Sequence, residues 1–229
     1  MPAERQRLEY LQALGIDVWI PRRKSDKSEP DLAAVAVTAD SSVPDWKLLR
    51  ATVVACTRCP LHENRTQTVF GVGNLNADWM IIGEAPGAEE DRRGEPFVGR
   101  AGKLLDEMLR AVELDRSTAF ITNILKCRPP NNRDPGRDEA AACRGYLERQ
   151  IELVNPRLIL AVGRIAAQAL LHSDSPVGRL RGRLHFLNDG QVPLVVTYHP
   201  AYLLRSPSQK RKVWEDLCLA RKVVQESLT

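Results

Sequence analysis

The chain has 229 residues, 43% of them hydrophobic and 27% charged, with 33 Lys and Arg against 29 Asp and Glu. That composition suits one good-sized globular domain with extensions, or two small ones, and the slight basic excess is as compatible with an ordinary solvated surface as with nucleic acid. No run approaches the ~18 apolar residues of a membrane span, and Met1–Arg7 lacks the apolar segment of a signal peptide, so a reducing, cytoplasmic setting and no membrane partner are expected. There, five cysteines suggest metal or catalysis rather than disulfides.

Residues 3–14 read as a short amphipathic helix, with Leu8, Leu11 and Leu14 on one face and Gly15 as its stop. After Pro21-Arg22-Arg23-Lys24, residues 24–44 are rich in Ser, Asp, Lys and Pro and read as a flexible linker. Residues 1–43 are therefore expected to form an extension and 44–229 the working domain. Pro44 or Asp45 starts a helix that delivers Cys56. From Trp79 on, apolar strands (Trp79–Gly83, Ala119–Leu125, Leu158–Gly163, Leu194–Tyr198) alternate with helices near 101–112, 137–153, 163–172 and 209–226. Strands without polar alternation, each separated by a helix, predict an α/β fold: a three-layer α/β/α sandwich around a central parallel four-stranded sheet.

Polar residues gather at the C-terminal strand ends, where such sheets bind ligands: Glu84 after the first strand, Asn123 in the second, Gly163 ending the third and His199 after the fourth. The stretch Met80–Gly102 is the longest of these connections. It carries Gly83-Glu84-Ala85-Pro86-Gly87 and Glu95-Pro96-Phe97-Val98-Gly99, and exceeds the ~2–6 residues of an ordinary βα loop. Cys56 and Cys59 form a C-x2-C, and Cys127 and Cys143 are separated by fifteen residues. Four such thiolates suit a metal site, either zinc or iron–sulfur. Cys218, inside a helical pattern, reads as a small buried hydrophobe.

These motifs, together with Thr122-Asn123-Ile124-Leu125-Lys126-Cys127-Arg128-Pro129-Pro130 and His199-Pro200-Ala201-Tyr202-Leu203-Leu204-Arg205, resemble the family 4 uracil-DNA glycosylases over roughly residues 45–225. The resemblance implies a structural [4Fe-4S] cluster on Cys56, Cys59, Cys127 and Cys143. It also implies excision of uracil from DNA as the free base, leaving an abasic site; the expected partner is single- or double-stranded uracil-containing DNA, bound by a monomer. Carried over, Phe97 stacks on the base, Asn123 reads its edge and His199 bonds its O2, while Glu84, Ala85 and Glu90 line the pocket.

The chemistry suits those residue types. A flipped base needs an aromatic face and a hydrogen-bonding edge to offset the cost of leaving the stack. An Asn offers one acceptor and two donors, which match uracil N3–H and O4 and mismatch cytosine. A His donor at O2 stabilises the charge that develops on the departing base. Family 1 relatives keep a water-positioning aspartate where this chain has Ala85, so Glu84 is expected to orient water or stabilise the sugar cation. Ala85 and Glu90 are the candidates for rejecting thymine. Leu203 is expected as the wedge that fills the gap left by the base. Arg205 with Lys210, Arg211 and Lys212, and Arg179, Arg181 and Arg183, form two candidate phosphate clamps.

Other readings are a catalytically weak or inactive iron–sulfur DNA-binding module, and a variant that traps the abasic sugar covalently. The second lacks the expected basic insertion. A nucleotide-binding enzyme fits least, because Gly71-Val72-Gly73 precedes a strand instead of following one.

Overall fold

The computed structural model describes residues 42–187 and 191–227. The helix expected over 3–14 and the linker up to residue 41 lie outside them. Helix α1 (Ser42–Val54) opens slightly ahead of Pro44, and buries Trp46, Leu49 and Val53 along one face. The chain then turns through Cys56 and Cys59 into the short α2 (Leu61–Asn64). Next come strands β1 (Val72–Gly73) and β2 (Trp79–Gly83), helices α3 (Ala88–Arg93) and α4 (Arg100–Arg110), and β3 (Phe120–Asn123). Helix α5 (Arg137–Val154), β4 (Leu158–Val162), α6 (Arg164–Leu171) and α7 (Val177–Leu180) follow. The described chain closes with β5 (Leu184–Leu187), β6 (Val192–Thr197), α8 (Pro200–Arg205) and α9 (Lys210–Glu226).

Every residue of β2, β3 and β4 is buried, as expected of strands covered on both faces. Alternate side chains still separate. Met80 and Ile82 join the core beneath α1, α5 and α6, while Trp79 and Ile81 join a second core with α4 and α9. Ile81 is fully buried there, so cutting it to Ala would cost ~2–5 kcal/mol. The two cores are the physical content of the three-layer architecture.

The sheet order is β1-β3-β2-β4-β6-β5. The inner four strands are parallel, but β1 runs antiparallel to β3 and β5 antiparallel to β6. Among the described residues the sheet is thus mixed and six-stranded, which corrects the expected four-stranded parallel sheet. Neither edge strand resembles the inner ones. β1 has two residues, and β5 alternates between exposed and half-buried positions.

From β2 the chain goes to β3 on one side and returns to β4 on the other. That reversal creates the crevice beyond the strand ends where open α/β sheets place ligands. Pairing of Gly83 with Asn123 and of Val162 with Thr197 brings the strand ends level.

Candidate active site and cysteine pocket

A cleft of about 830 Å3, within the range of small-ligand sites, opens at those ends. Its walls come from the loop after β2 (Glu84, Ala85, Glu90, Phe97), from the start of α6 (Gly163, Arg164) and from the loop after β6 (Tyr198, His199, Ala201, Tyr202, Arg205). Asn132, Arg133 and Asp134 complete the rim.

Glu90 sets the shape of the first wall. Its Oε1 accepts the amides of Val98 and Gly99, both at 2.9 Å, so this carboxylate ties down the backbone around Phe97. Phe97 is buried against Gly83 and His199. A Cβ on Gly83 would lie 2.5 Å from both Phe97 Cζ and Asn123 Oδ1, so only glycine lets ring and amide meet over the strand end.

Asn123 lies behind the ring and is 2% exposed. Among the described residues no protein group hydrogen-bonds its side-chain amide. Among the described residues no polar side-chain atom is both sealed from solvent and unpartnered, so the amide keeps a narrow opening beside the ring. Its backbone is fixed from below by Lys126, whose Nζ donates to Asn123 O at 2.7 Å, Thr122 Oγ1 at 2.7 Å and Gln150 Oε1 at 2.6 Å. Complete burial pulls this ammonium down to about 7.

His199 is the N-cap of α8, and its Nδ1 accepts from Ala201 N at 3.1 Å. The ring proton therefore sits on Nε2, as a donor. Burial, reinforced by the Arg205 charge, lowers the imidazole from 6.5 to about 4, so the ring is neutral near pH 7. Gly163, at φ +98, makes room: a Cβ there would come within 3.0 Å of His199 Cβ. Beneath the loop, buried Asp216 accepts from Thr197 Oγ1 at 2.8 Å, Gly182 N at 3.0 Å and the Arg181 guanidinium at 2.8 and 3.0 Å.

Glu84 stands at the tip of β2. Burial pushes its carboxyl above the ordinary 4.5, and Asp134 adds to the shift while Arg164 opposes it. Arg164 and Asp134 pair at 2.5 Å across this end of the cleft. Asp134 had no signal in sequence. Arg164 had a weak one, as the residue directly after a strand-end glycine.

A second, smaller pocket is lined by Cys56, Cys59, Cys127 and Cys143, together with Val53, Arg58, His62, Arg65, Lys126 and Tyr146. Its sulfurs have donors: Arg65 Nη1 reaches Cys127 Sγ at 3.1 Å and Lys126 N reaches Cys143 Sγ at 3.3 Å. Burial pushes the Cys127 and Cys143 thiols up, so their ionisation needs positive charge beyond these donors. Four inward thiols, an apolar wall and donors aimed at sulfur fit a thiolate-held metal group. Among the described residues no three His, Cys, Asp or Glu converge closely enough for a single ion.

Residues 70–218 match the model of the uracil DNA glycosylase superfamily. The chain is 42% identical over 170 residues to a type-4 uracil-DNA glycosylase of Archaeoglobus fulgidus, covering 72% of this chain and 85% of that protein. Type-4 uracil-DNA glycosylases of Pyrobaculum aerophilum and Thermotoga maritima are 43% and 44% identical, each match covering 76% of this chain and 92% of the relative. The chain belongs to the type-4 uracil-DNA glycosylases.

Within this family's sequence motifs, the structure brings Glu84, Ala85, Glu90, Phe97, His199 and Arg205 to one cleft, with Asn123 behind its aromatic wall. It does not bring Leu203. That residue is 1% exposed and packs in the core of α4 and α9, while Leu204 beside it is 41% exposed. In α8 the buried face runs through Pro200 and Leu203, three apart, and this phase turns Leu204 outward. Arg181 also departs from its expected role as a phosphate clamp, because Asp216 already holds it. Cys218 is exposed, not buried.

Proposed function

We propose that this chain excises uracil from DNA as the free base, by hydrolysing the N-glycosidic bond and leaving an abasic site. The observation that carries the reading is the Asn123 amide, nearly buried beside an aromatic ring yet without a protein partner. Such an amide is prepared for a ligand edge with an acceptor beside a donor. Uracil O4 and N3–H supply that pattern, and cytosine would leave buried groups unpaired.

Phe97 stacks on the flipped base and His199 meets it at an edge. The Phe97 and His199 ring centroids are 5.7 Å apart, less than the ~7 Å needed to sandwich a base between them. His199 therefore donates its Nε2–H in the plane of the base, toward O2, where negative charge grows as the bond breaks. Because the ring is neutral, it stabilises the uracil anion by hydrogen bonding without surrendering a proton. Glu84 holds water or the sugar cation on the opposite side. Ala85 and Glu90 border the base where thymine carries its methyl.

Arg205, exposed at the cleft rim, fits a phosphate contact, and Leu204 replaces Leu203 as the wedge candidate. The glycosylase domain comprises the chain from about residue 42 onward, with the preceding residues as an extension.

Cys56, Cys59, Cys127 and Cys143 would hold a [4Fe-4S] cluster, the thiolate-bound group that the family resemblance implies. Its contribution would be structural: bound thiolates would tie α1, the exit of β3 and α5 together.

Purified protein is incubated with single-stranded and duplex oligonucleotides carrying uracil, cytosine or thymine at one position. Alkali-labile sites are expected only at uracil. A preparation with four irons and broad visible absorption that makes no such sites would leave an iron–sulfur DNA-binding protein instead.

A further inference from the structure

Phe97 has φ +54. A bulky side chain at positive φ is a genuine outlier and persists only where the surroundings over-determine it. Two side chains do so here, from opposite sides. Glu90 takes the amides of residues 98 and 99 from within the cleft. From behind, Arg116 in the segment between α4 and β3 takes the carbonyls. Its Nη1 donates to Pro96 O at 3.0 Å and its Nη2 to Phe97 O. Its Nε is anchored on Asp106 Oδ1 at 2.7 Å, which fixes the guanidinium against α4. Gly102 on the same helix completes the cradle, since a Cβ there would lie 1.7 Å from Phe97 O.

Arg116 does not line the cleft, and as a part-exposed ion pair with Asp106 it would be worth little by itself. Its three acceptors need the planar fork of a guanidinium. A lysine ammonium offers a point charge and cannot span them.

We propose that Arg116 is a positioning residue for base recognition, holding the backbone of Phe97 in the left-handed conformation that presents its ring to the flipped base. The inference rests on Phe97 being the stacking ring. It assigns the specificity of that ring's placement to a residue nineteen positions away and outside the cleft.

The test is a double-mutant cycle read by single-turnover excision and by KM, with thermal unfolding measured alongside. Removing the ring in Phe97→Ala is expected to cost about 10–100-fold in kcat/KM, the usual worth of base–aromatic stacking. In the presence of Phe97, Arg116→Gln is expected to cost about tenfold in kcat/KM, mostly through KM, because it releases only part of that stacking. Arg116→Lys should resemble Arg116→Gln, and serves in its place if the Gln variant is unstable. In the Phe97→Ala background the further loss from either Arg116 variant should shrink to about twofold or less, the mark of two residues acting through one contact. An undiminished loss in that background would overturn the proposal, as would wild-type kinetics in both Arg116 variants. If Phe97→Ala itself excised uracil normally, the stacking reading would fail and take the proposal with it. If it were impaired but additive with Arg116→Gln, only the proposal would fail.

Discussion

The loops after β2 and β6 each bring a ring to the same cleft, Phe97 through strained backbone and His199 through a regular helix start. The His199 ring takes its orientation from its own loop, which Asp216 braces from below. The ring caps its own helix, Pro200 occupies the first helical position where a missing N–H costs nothing, and the imidazole orientation follows from one bond to Ala201 two residues away. The Phe97 backbone is held by Glu90 on α3, Gly102 at the start of α4 and Arg116 between α4 and β3. One ring is placed by secondary structure and the other by tertiary contacts. Substitutions at Glu90, Gly102 or Arg116 should therefore act at Phe97, whereas at His199 the distant residue expected to matter is Asp216.

The largest expected break in this comparison is His199→Ala. It removes the donor aimed at the departing base and should lower kcat about 10²–10³-fold, with loss of the cap costing a further ~0.5–2 kcal/mol of stability. Single-turnover rates separate the two effects, and a kcat within tenfold of wild type would remove His199 from leaving-group stabilisation. Next is Glu90→Ala, which frees the amides of residues 98 and 99. It should cost about tenfold in kcat/KM, with the loss concentrated in KM, because hydrogen bonds to a carboxylate are worth ~1.5–3 kcal/mol and only part of that reaches the substrate. A loss confined to kcat would instead mean that Glu90 serves the chemical step.

The smallest effect lies in the pH profile. His199 is shifted down to about 4 and Glu84 is shifted up from 4.5, so both should give kcat an acid limb, with Glu84 protonating first. In Glu84→Gln the acid limb should move down toward 4. An inflection near 6.5 that disappears in His199→Ala would show an ordinary, solvated imidazole. The same shift acts on stability: the unfolded His199 binds a proton below about 6.5 and the folded one does not until about 4, so stability is lost as pH falls through that window.

The inner strands were legible because uninterrupted apolar runs have one reading in a sheet covered on both faces. The edges were not: Val72–Gly73 is too short for any pattern, and Leu184–Leu187 is half in solvent. Residue type made the four cysteines and the strand-end Glu84, Asn123 and His199 visible. Phase was the weak point. Leu203 and Leu204 are equally apolar, and only the turn of α8 decides which one faces the core. Cys218, next to buried Leu217, fell on the wrong side of α9 by the same error. Contacts such as Arg116 with Phe97 or Arg181 with Asp216 leave no local periodicity to read.

The position of Asp216 orders events during synthesis. The chain that emerges first contains Cys56 through Cys143 and strands β1, β2 and β3, with Arg116 already present. Thr197 and Arg181 must wait for Asp216, near the far end of the described chain, before the floor beneath His199 is in place. The residues that hold the Phe97 backbone are thus all made before the residue that braces the His199 loop, which comes with the last described helix.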